Sequence, residues 1–451
     1  MLNVRFFLFI TSCLLSGLII ANRTGFIYWE NDSNNPIFLS AVTVNQNDKI
    51  IVCGRNTFIR QYSSTGQLEH DLDTSGANPA FYYDIIALDE NTILAAGFKN
   101  NPQEGLIIKK NYGNNPSLSV LEPIISQDGL TAKSYYRVIK HGNKIFAVGI
   151  SSNNKGLISC YTFDNQLNDY VLDTQFNNGA GFIIDNQAFE YNSIKIDPDE
   201  KIVVVGKSPS NRGLIRRYNI DGTPDTNFNQ TSFSINNNAL SFYDLVIENT
   251  KIFVAGQTSD NNGLIAEYNF TGSLVPTVFN QNGTDSSFYY RLIINNNKII
   301  TVGSTKPEVT PNNSGDGLIA RYNFDGTLDT NFNIIGYINT ENGTNSRFFY
   351  GISAYTGNKI VVVGRADHGS GVIVRYNDNG SLDLTFNPAA QGNGIIVEEF
   401  PLDDRDDLIN INLPGQNQNN NPPDPIILPT NNLKNFLENA KNNLTRLCLL
   451  G

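Results

Sequence analysis

Any chemistry in this chain has to come from a short supply of reactive side chains. Histidine occurs three times, at His70, His141 and His368, in widely separated segments, and none neighbours a serine or cysteine in a nucleophile motif. A histidine-based triad is therefore not expected. The four cysteines, Cys13, Cys53, Cys160 and Cys448, make no Cys-x-x-Cys pair and have no histidine at metal-ligand spacing, which disfavours a zinc site or a disulfide framework. Carboxylates recur in Asp-Gly-x-x-Asp segments, Asp221 with Asp225 and Asp325 with Asp329. Calcium takes roughly six to eight oxygen ligands, and two carboxylates in a turn supply too few. These segments read as hairpin turns held by side-chain hydrogen bonds. No metal or cofactor is expected. Carboxylates brought together from separate parts of the chain stay open as an acid and base pair.

The elements that must carry these residues are strands. An apolar run closing on glycine recurs as IIVCG, ILAAG, IFAVG, IVVVG, IFVAG, IITVG and IVVVG, ending at Gly54, Gly97, Gly149, Gly206, Gly256, Gly303 and Gly364. The seven copies have a mean spacing of about 52 residues, at the long end for a four-stranded propeller blade. A second segment follows in most copies, as GLIIKKNY, GLISCY, GLIRRY, GLIAEY, GLIARY and GVIVRY, with NTFIRQY in the first. Its apolar and polar residues alternate with the period of a half-buried strand. Asp-Gly or Asn-Gly turns follow, as in NIDGTPDTNFN from Asn219, and supply the positive φ angles of tight hairpins. Ahead of each glycine run lies one more strand, opened by Tyr83, Tyr136, Tyr191, Tyr243, Tyr290 or Tyr350. With a weaker fourth strand each copy makes a blade, and blades must stack because one alone cannot bury both faces. The reading is an all-β chain, a seven-bladed β-propeller of four-stranded blades over residues 22–412. Two segments compete to close the ring in the last blade, Gly25 to Trp29 and the stretch after Phe386.

Positions that the fold needs repeat, whereas a ligand site breaks the symmetry. Immediately after the opening tyrosines stand Asp84, Arg137, Asn192, Asp244, Arg291 and Gly351. If their strand is innermost, the five polar residues line or rim the channel, where they either hold a polar ligand or form exposed ion pairs of little energetic worth.

The motifs resemble the delta-60 repeat family of bacterial propeller-like proteins, best at GLIARYNFDGTLDTNFN, from Gly317 to Asn333. The resemblance covers about residues 38 to 400. It implies the propeller fold and no single activity, because propellers host enzymes, receptors and scaffolds.

Charge excludes one class of partner. With 32 Lys and Arg against 43 Asp and Glu the chain carries a net charge of -11 and no basic run, so a nucleic acid is not expected. Residues 1–21 read as a signal peptide: Arg5 precedes an apolar run from Phe6 to Ala21. As a helix it would span about 24 Å against a bilayer core of about 30 Å, too short to anchor. No transmembrane span is expected after cleavage, and the mature chain is expected to be secreted or in the periplasm or cell envelope. Residues 413–429 form a Pro/Asn-rich linker. Residues 430–451 fit an amphipathic helix, with Leu433, Phe436, Leu437 and Leu444 on one face, which either folds back on the ring or docks a partner. The function read from this pattern is a non-enzymatic binding or scaffold propeller for a protein or glycan ligand. A lyase or hydrolase at the channel mouth is the alternative, and an envelope structural protein assembled through its tail helix is the second.

Overall fold

The computed structural model describes residues 38–398, apart from 56–57, 73–79, 101–102, 113–121, 125–131, 280–283, 306–314, 340–345, 367–370 and 388–394, together with 409–410 and 427–428. Glycine-closed runs such as Lys201–Lys207 form strands whose middle residues are all buried, as expected of a strand packed on both faces. Each run lies between two antiparallel partners. The result is seven sheets of consecutive strands, spanning residues 39–71, 80–124, 132–185, 190–236, 239–275, 286–339 and 346–398, hereafter blades one to seven. In blade three the outer strand comes in two pieces, Asp169–Leu172 and Phe182–Asp185, which pair with different halves of Gly156–Asp164.

Among the described residues the core is divided, because each blade buries its faces against its neighbours. The buried apolar residues fall into seven clusters, each shared by two adjacent blades. One of them joins Leu39, Val52 and Tyr62 of blade one to Val361, Ile373 and Phe386 of blade seven, so the ring is closed. The outer strand of blade seven is Ile395–Glu398, paired with Gly371–Tyr376. Of the two competitors for that place, the stretch after Phe386 holds it. Gly25 to Trp29 lies outside the described residues.

The Phe-Asn pair that ends each turn motif works between blades. Phe176, Phe228, Phe332 and Phe386 are buried. The first three sit where a side chain on Gly222, Gly272 or Gly380, in the next turn of the same kind, would have to go. The asparagines that follow them donate their backbone N–H to the neighbouring blade's turn: Asn177 to Asp221 at 2.7 Å, Asn229 to Thr271 at 2.7 Å and Asn333 to Asn379 at 2.8 Å. Asn387 makes the same bond to Thr65 at 2.7 Å, so the seam uses the joint found elsewhere in the ring.

The second aspartate of the turn motif pairs with the arginine of the strand before it. Arg321 meets Asp329 at 2.9 Å and Arg375 meets Asp383 at 2.6 Å, with all four side chains buried. Burial would raise the Asp383 carboxyl, but hydrogen bonds from Lys359 and Thr385, with the Arg375 charge, hold it well below the usual range. Such pairs return little net stability after desolvation, while breaking one is costly. Asp221 and Asp325 cap their own turns through Thr223 and Thr327.

Residues 400–451 form a separate unit, in which Ile409–Asn410 pairs with Ile427–Leu428. The proposed helix face, Leu433, Phe436, Leu437 and Leu444, lies outside the described residues. Among the described residues no helix is long and apolar enough to cross a membrane.

Candidate functional site

The repeating glycine shapes the channel. At Gly97 a Cβ would lie 1.8 Å from the carbonyl oxygen of Phe81, and at Gly149 it would lie 2.0 Å from that of Ser134. The same contact recurs at the other five closing glycines. Only glycine lets the first strand approach this closely, and immediately beyond the contact that strand is bulged in every blade. A bulge re-aims a side chain. The bulged residues are Ser40, Tyr83, Tyr136, Asn192, Tyr243, Tyr290 and Tyr350. First strands of neighbouring blades touch all the way round the ring, so they are innermost and these residues encircle one end of the channel. Tyr83 meets Tyr136 at 5.1 Å between ring centroids, Tyr243 meets Tyr290 at 5.3 Å and Tyr290 meets Tyr350 at 5.0 Å. The collar is thus two arcs of tyrosine.

One residue deeper lies a second ring, made of Ala41, Asp84, Arg137, Ser193, Asp244, Arg291 and Gly351. Its polar members bind across the channel. Arg137 of blade three reaches Asp244 of blade five and, at 3.4 Å, Asp84 of blade two. Arg291 of blade six donates to the Tyr83 carbonyl of blade two at 3.0 Å and approaches Asp84 at 3.5 Å. Ser193 donates to Asp244 at 2.6 Å. Each carboxylate also accepts a backbone N–H from the following blade, Val138 to Asp84 at 3.0 Å and Leu292 to Asp244 at 3.1 Å. The ring is therefore a buried plug. Among the described residues, the Nη1 of Arg291 is buried with no hydrogen-bond partner.

Outside the collar, two residues before it in each blade, a third row runs Phe38, Phe81, Ser134, Glu190, Ser241, Phe288 and Phe348. Blades six, seven, one and two carry phenylalanine, while blades three, four and five carry Ser, Glu and Ser. Phe288 and Phe348 stack at 6.1 Å, and Phe81 packs on Tyr83 at 4.6 Å. Arg55 and Arg365 both lie over Phe38. On the polar side the Asn192 amide donates to the Phe242 carbonyl at 2.8 Å. Burial raises the Glu190 carboxyl above its usual range, against the Lys207 charge and hydrogen bonds from Asn192 and Tyr136.

Four of the five residues picked from the sequence, Asp84, Arg137, Asp244 and Arg291, share the plug. Asn192 stands in the collar, and its place in the plug belongs to Ser193. The readable signal was the aromatic doublet: Tyr82-Tyr83, Tyr135-Tyr136, Phe242-Tyr243 and Tyr289-Tyr290 precede the polar residue. In blade four Tyr191-Asn192 occupies the doublet, so the polar position comes next. Glu190 breaks the symmetry of its row and was also passed over. Among the described residues no group of three or more His, Cys, Asp or Glu side chains is placed to hold a metal ion.

The plug has a pH dependence of defined sign. Burial pushes the Asp84 carboxyl up from 3.8 to about 6, against the attraction of Arg137, whose closer partner is Asp244. Between these values the folded chain keeps a proton that the unfolded chain has lost. Stability from this group is therefore fully present below pH 3.8 and is lost as pH rises through 6. Two pH units correspond to about 3 kcal/mol at most. Denaturant unfolding of Asp84→Asn and wild type at pH 4, 5, 6 and 7 should show the wild type losing stability relative to the variant across that window. Parallel curves would refute it.

The family described as "Domain of unknown function (DUF5122) beta-propeller" matches residues 198–228, 295–332 and 358–386, which fall in blades four, six and seven. A search of the curated proteins finds no match. Among solved structures, the one described as "Crystal structure of WD40 beta propeller domain of Doa1" is 12% identical, covering 77% of this chain and 93% of that one, with a TM-score of 0.49.

Proposed function

We propose that this chain is a non-enzymatic binding propeller that recognises a protein or glycan ligand at the tyrosine collar, and that it acts outside the cytoplasm. The observation that carries this reading is the collar itself. The fold's glycines impose a bulge on every blade, and five of the seven bulged positions hold tyrosine at one end of a plugged channel. Aromatic side chains with a polar tip provide contact area at low conformational cost and are the usual anchors of recognition sites. Concave sites lined mainly by apolar and aromatic side chains, with a few placed polar groups, are the common form of a ligand-binding site. The apolar run from Phe6 to Ala21 supports export, and the GLIARYNFDGTLDTNFN signature supports placing the chain among delta-60 repeat propellers.

The test is an array of glycans and peptides probed with the full chain, with Tyr243→Ala/Tyr290→Ala and with Glu90→Ala. Glu90 lies in the hairpin at the opposite end of the innermost strand of blade two, between Ala80–Ala87 and Thr92–Asn100. Loss of an anchor pair should weaken retained ligands about tenfold or more, while the Glu90 variant binds as wild type. Ligands held equally by all three chains would place recognition elsewhere.

A further inference from the structure

The residue that follows the closing glycine, at the collar end of each blade, is charged in three blades only: Arg365 of blade seven, Arg55 of blade one and Lys207 of blade four. Across its strand pair Lys207 stands opposite a carboxylate, Glu190. The two arginines face phenylalanine instead. Arg365 stands opposite Phe348, and the Arg55 N–H donates to the Phe38 carbonyl at 3.0 Å. They also converge. Arg365 crosses the seam of the ring and brings its guanidinium carbon 4.7 Å from the Phe38 ring centroid, while that of Arg55 lies 5.6 Å from the same centroid. Arginines elsewhere in the ring meet aspartate, as at Arg137, Arg217, Arg321 and Arg375. Among the described residues neither Arg55 nor Arg365 has a carboxylate within 4 Å, and the buried Nε of Arg365 has no hydrogen-bond partner. Two like charges held against one ring without a counter-ion suit a carboxylate, which matches the planar guanidinium fork. Burial and the Glu190 charge push the Tyr83 phenol up against the Arg55 charge, and burial pushes that of Tyr350 up to about 12 against the Arg365 charge, so both arginines act on collar rings. Beside them lies a flat platform. Phe348 stacks on Phe288 at 6.1 Å and on Tyr350 at 5.9 Å, with interplanar angles of 9° and 14°. The negative faces of such rings attract the polarised C–H bonds that one side of a pyranose presents. An acidic peptide would satisfy the arginines alone; the platform selects a sugar ring. The net charge of -11 repels acidic polymers, but at physiological ionic strength that repulsion is screened beyond about 8 Å, so retention rests on contact at the pair.

Resting on the collar as the recognition site, we infer that its ligand is an acidic glycan, with a uronate carboxylate on Arg55 and Arg365 at the seam between blades seven and one and the C–H face of the sugar on the Phe348 platform.

Calorimetric titration of the full chain with galacturonate, glucuronate and mannuronate trimers, the methyl ester of the tightest of them and a triglutamate peptide tests this. The chains are wild type, Arg365→Gln, Arg55→Gln and Tyr243→Ala/Tyr290→Ala, with matched thermal unfolding. The expected result is a uronate trimer bound by wild type and weakened about tenfold by esterification and about tenfold in each arginine variant, since each change removes charge-assisted hydrogen bonds. Triglutamate should bind about tenfold more weakly than that trimer, for want of the stacked ring. Arg55 is exposed, so its variant reads the site even where Arg365→Gln unfolds. No uronate binding to wild type, equal affinity for acid and ester, unchanged affinity in Arg55→Gln, or triglutamate bound as tightly as the trimer would overturn the inference. A neutral ligand retained on the array that both arginine variants hold, but that Tyr243→Ala/Tyr290→Ala loses, would leave the collar as recognition site and remove the carboxylate from it. If the double tyrosine variant keeps every ligand of the wild type, the collar reading fails as well.

Discussion

The Asp244→Ala variant is expected to be less stable than wild type by about 3–5 kcal/mol, the cost of stranding one half of a buried ion pair. Three groups lose their partner at once. The Arg137 guanidinium keeps only the longer contacts, to Asp84 at 3.4 Å and to the Ser193 hydroxyl at 3.3 Å, the Ser193 hydroxyl loses a 2.6 Å bond, and the Leu292 N–H is left without its acceptor. Because Arg137 belongs to blade three and Asp244 to blade five, the damage spans the ring. A double-mutant cycle with Arg137→Met separates the pair from its surroundings. If the pair is coupled as drawn, removing both charges should recover a large part of the loss, since a buried pair and an apolar replacement are often close in energy. Guanidinium chloride unfolding of the four chains reads this directly. Additive single losses would mean that the two side chains do not meet in solution.

Gly149→Val should be at least as damaging, at or above about 3 kcal/mol, the upper part of the usual range for overpacking. The new Cβ would lie 2.0 Å from the Ser134 carbonyl oxygen and 2.9 Å from the Tyr135 Cα. Both are backbone atoms, so no rotamer change relieves the contact and the bulge that presents Tyr136 must open. Gly142 provides the control. Its φ is +57° with nothing within 4 Å of a built Cβ, and asparagine tolerates that backbone region. Gly142→Asn should therefore stay within about 0.5 kcal/mol of wild type. Thermal and denaturant unfolding of the two variants compares a glycine required for close approach with one required only for its turn. Equal effects would remove the bulge from its explanatory role.

The repeat was legible because the fold spends its residues in the same way seven times. Glycine ends the buried run in all seven copies, while the Asp-Gly or Asn-Gly turn followed by a Phe-Asn pair is clear in blades four, six and seven, so blade count and strand order followed from the spacing of the glycines. Phe176, Phe228, Phe332 and Phe386 were visible as returning aromatics, but their task was not, because each serves the next blade and the sequence does not say which surfaces meet. The plug is the clearest such case. Arg137 and Asp244 are 107 positions apart, and only the closed ring makes them neighbours across the channel. Asn192 was misplaced by one position for a local reason. A bulge adds a residue without changing the apolar pattern around it, so counting from the visible tyrosine in blade four lands on the collar and misses Ser193. Glu190 escaped notice because its row is defined by close approach to Gly206 and by no sequence period.

The most direct test of recognition at the collar is to introduce 3-fluorotyrosine at position 290, and separately at the buried position 376, and to follow each fluorine resonance while titrating a ligand retained on the array. The account predicts a saturable shift at Tyr290, with the affinity measured by calorimetry, and none at Tyr376. An unmoved Tyr290 resonance in the presence of a demonstrably bound ligand would contradict it.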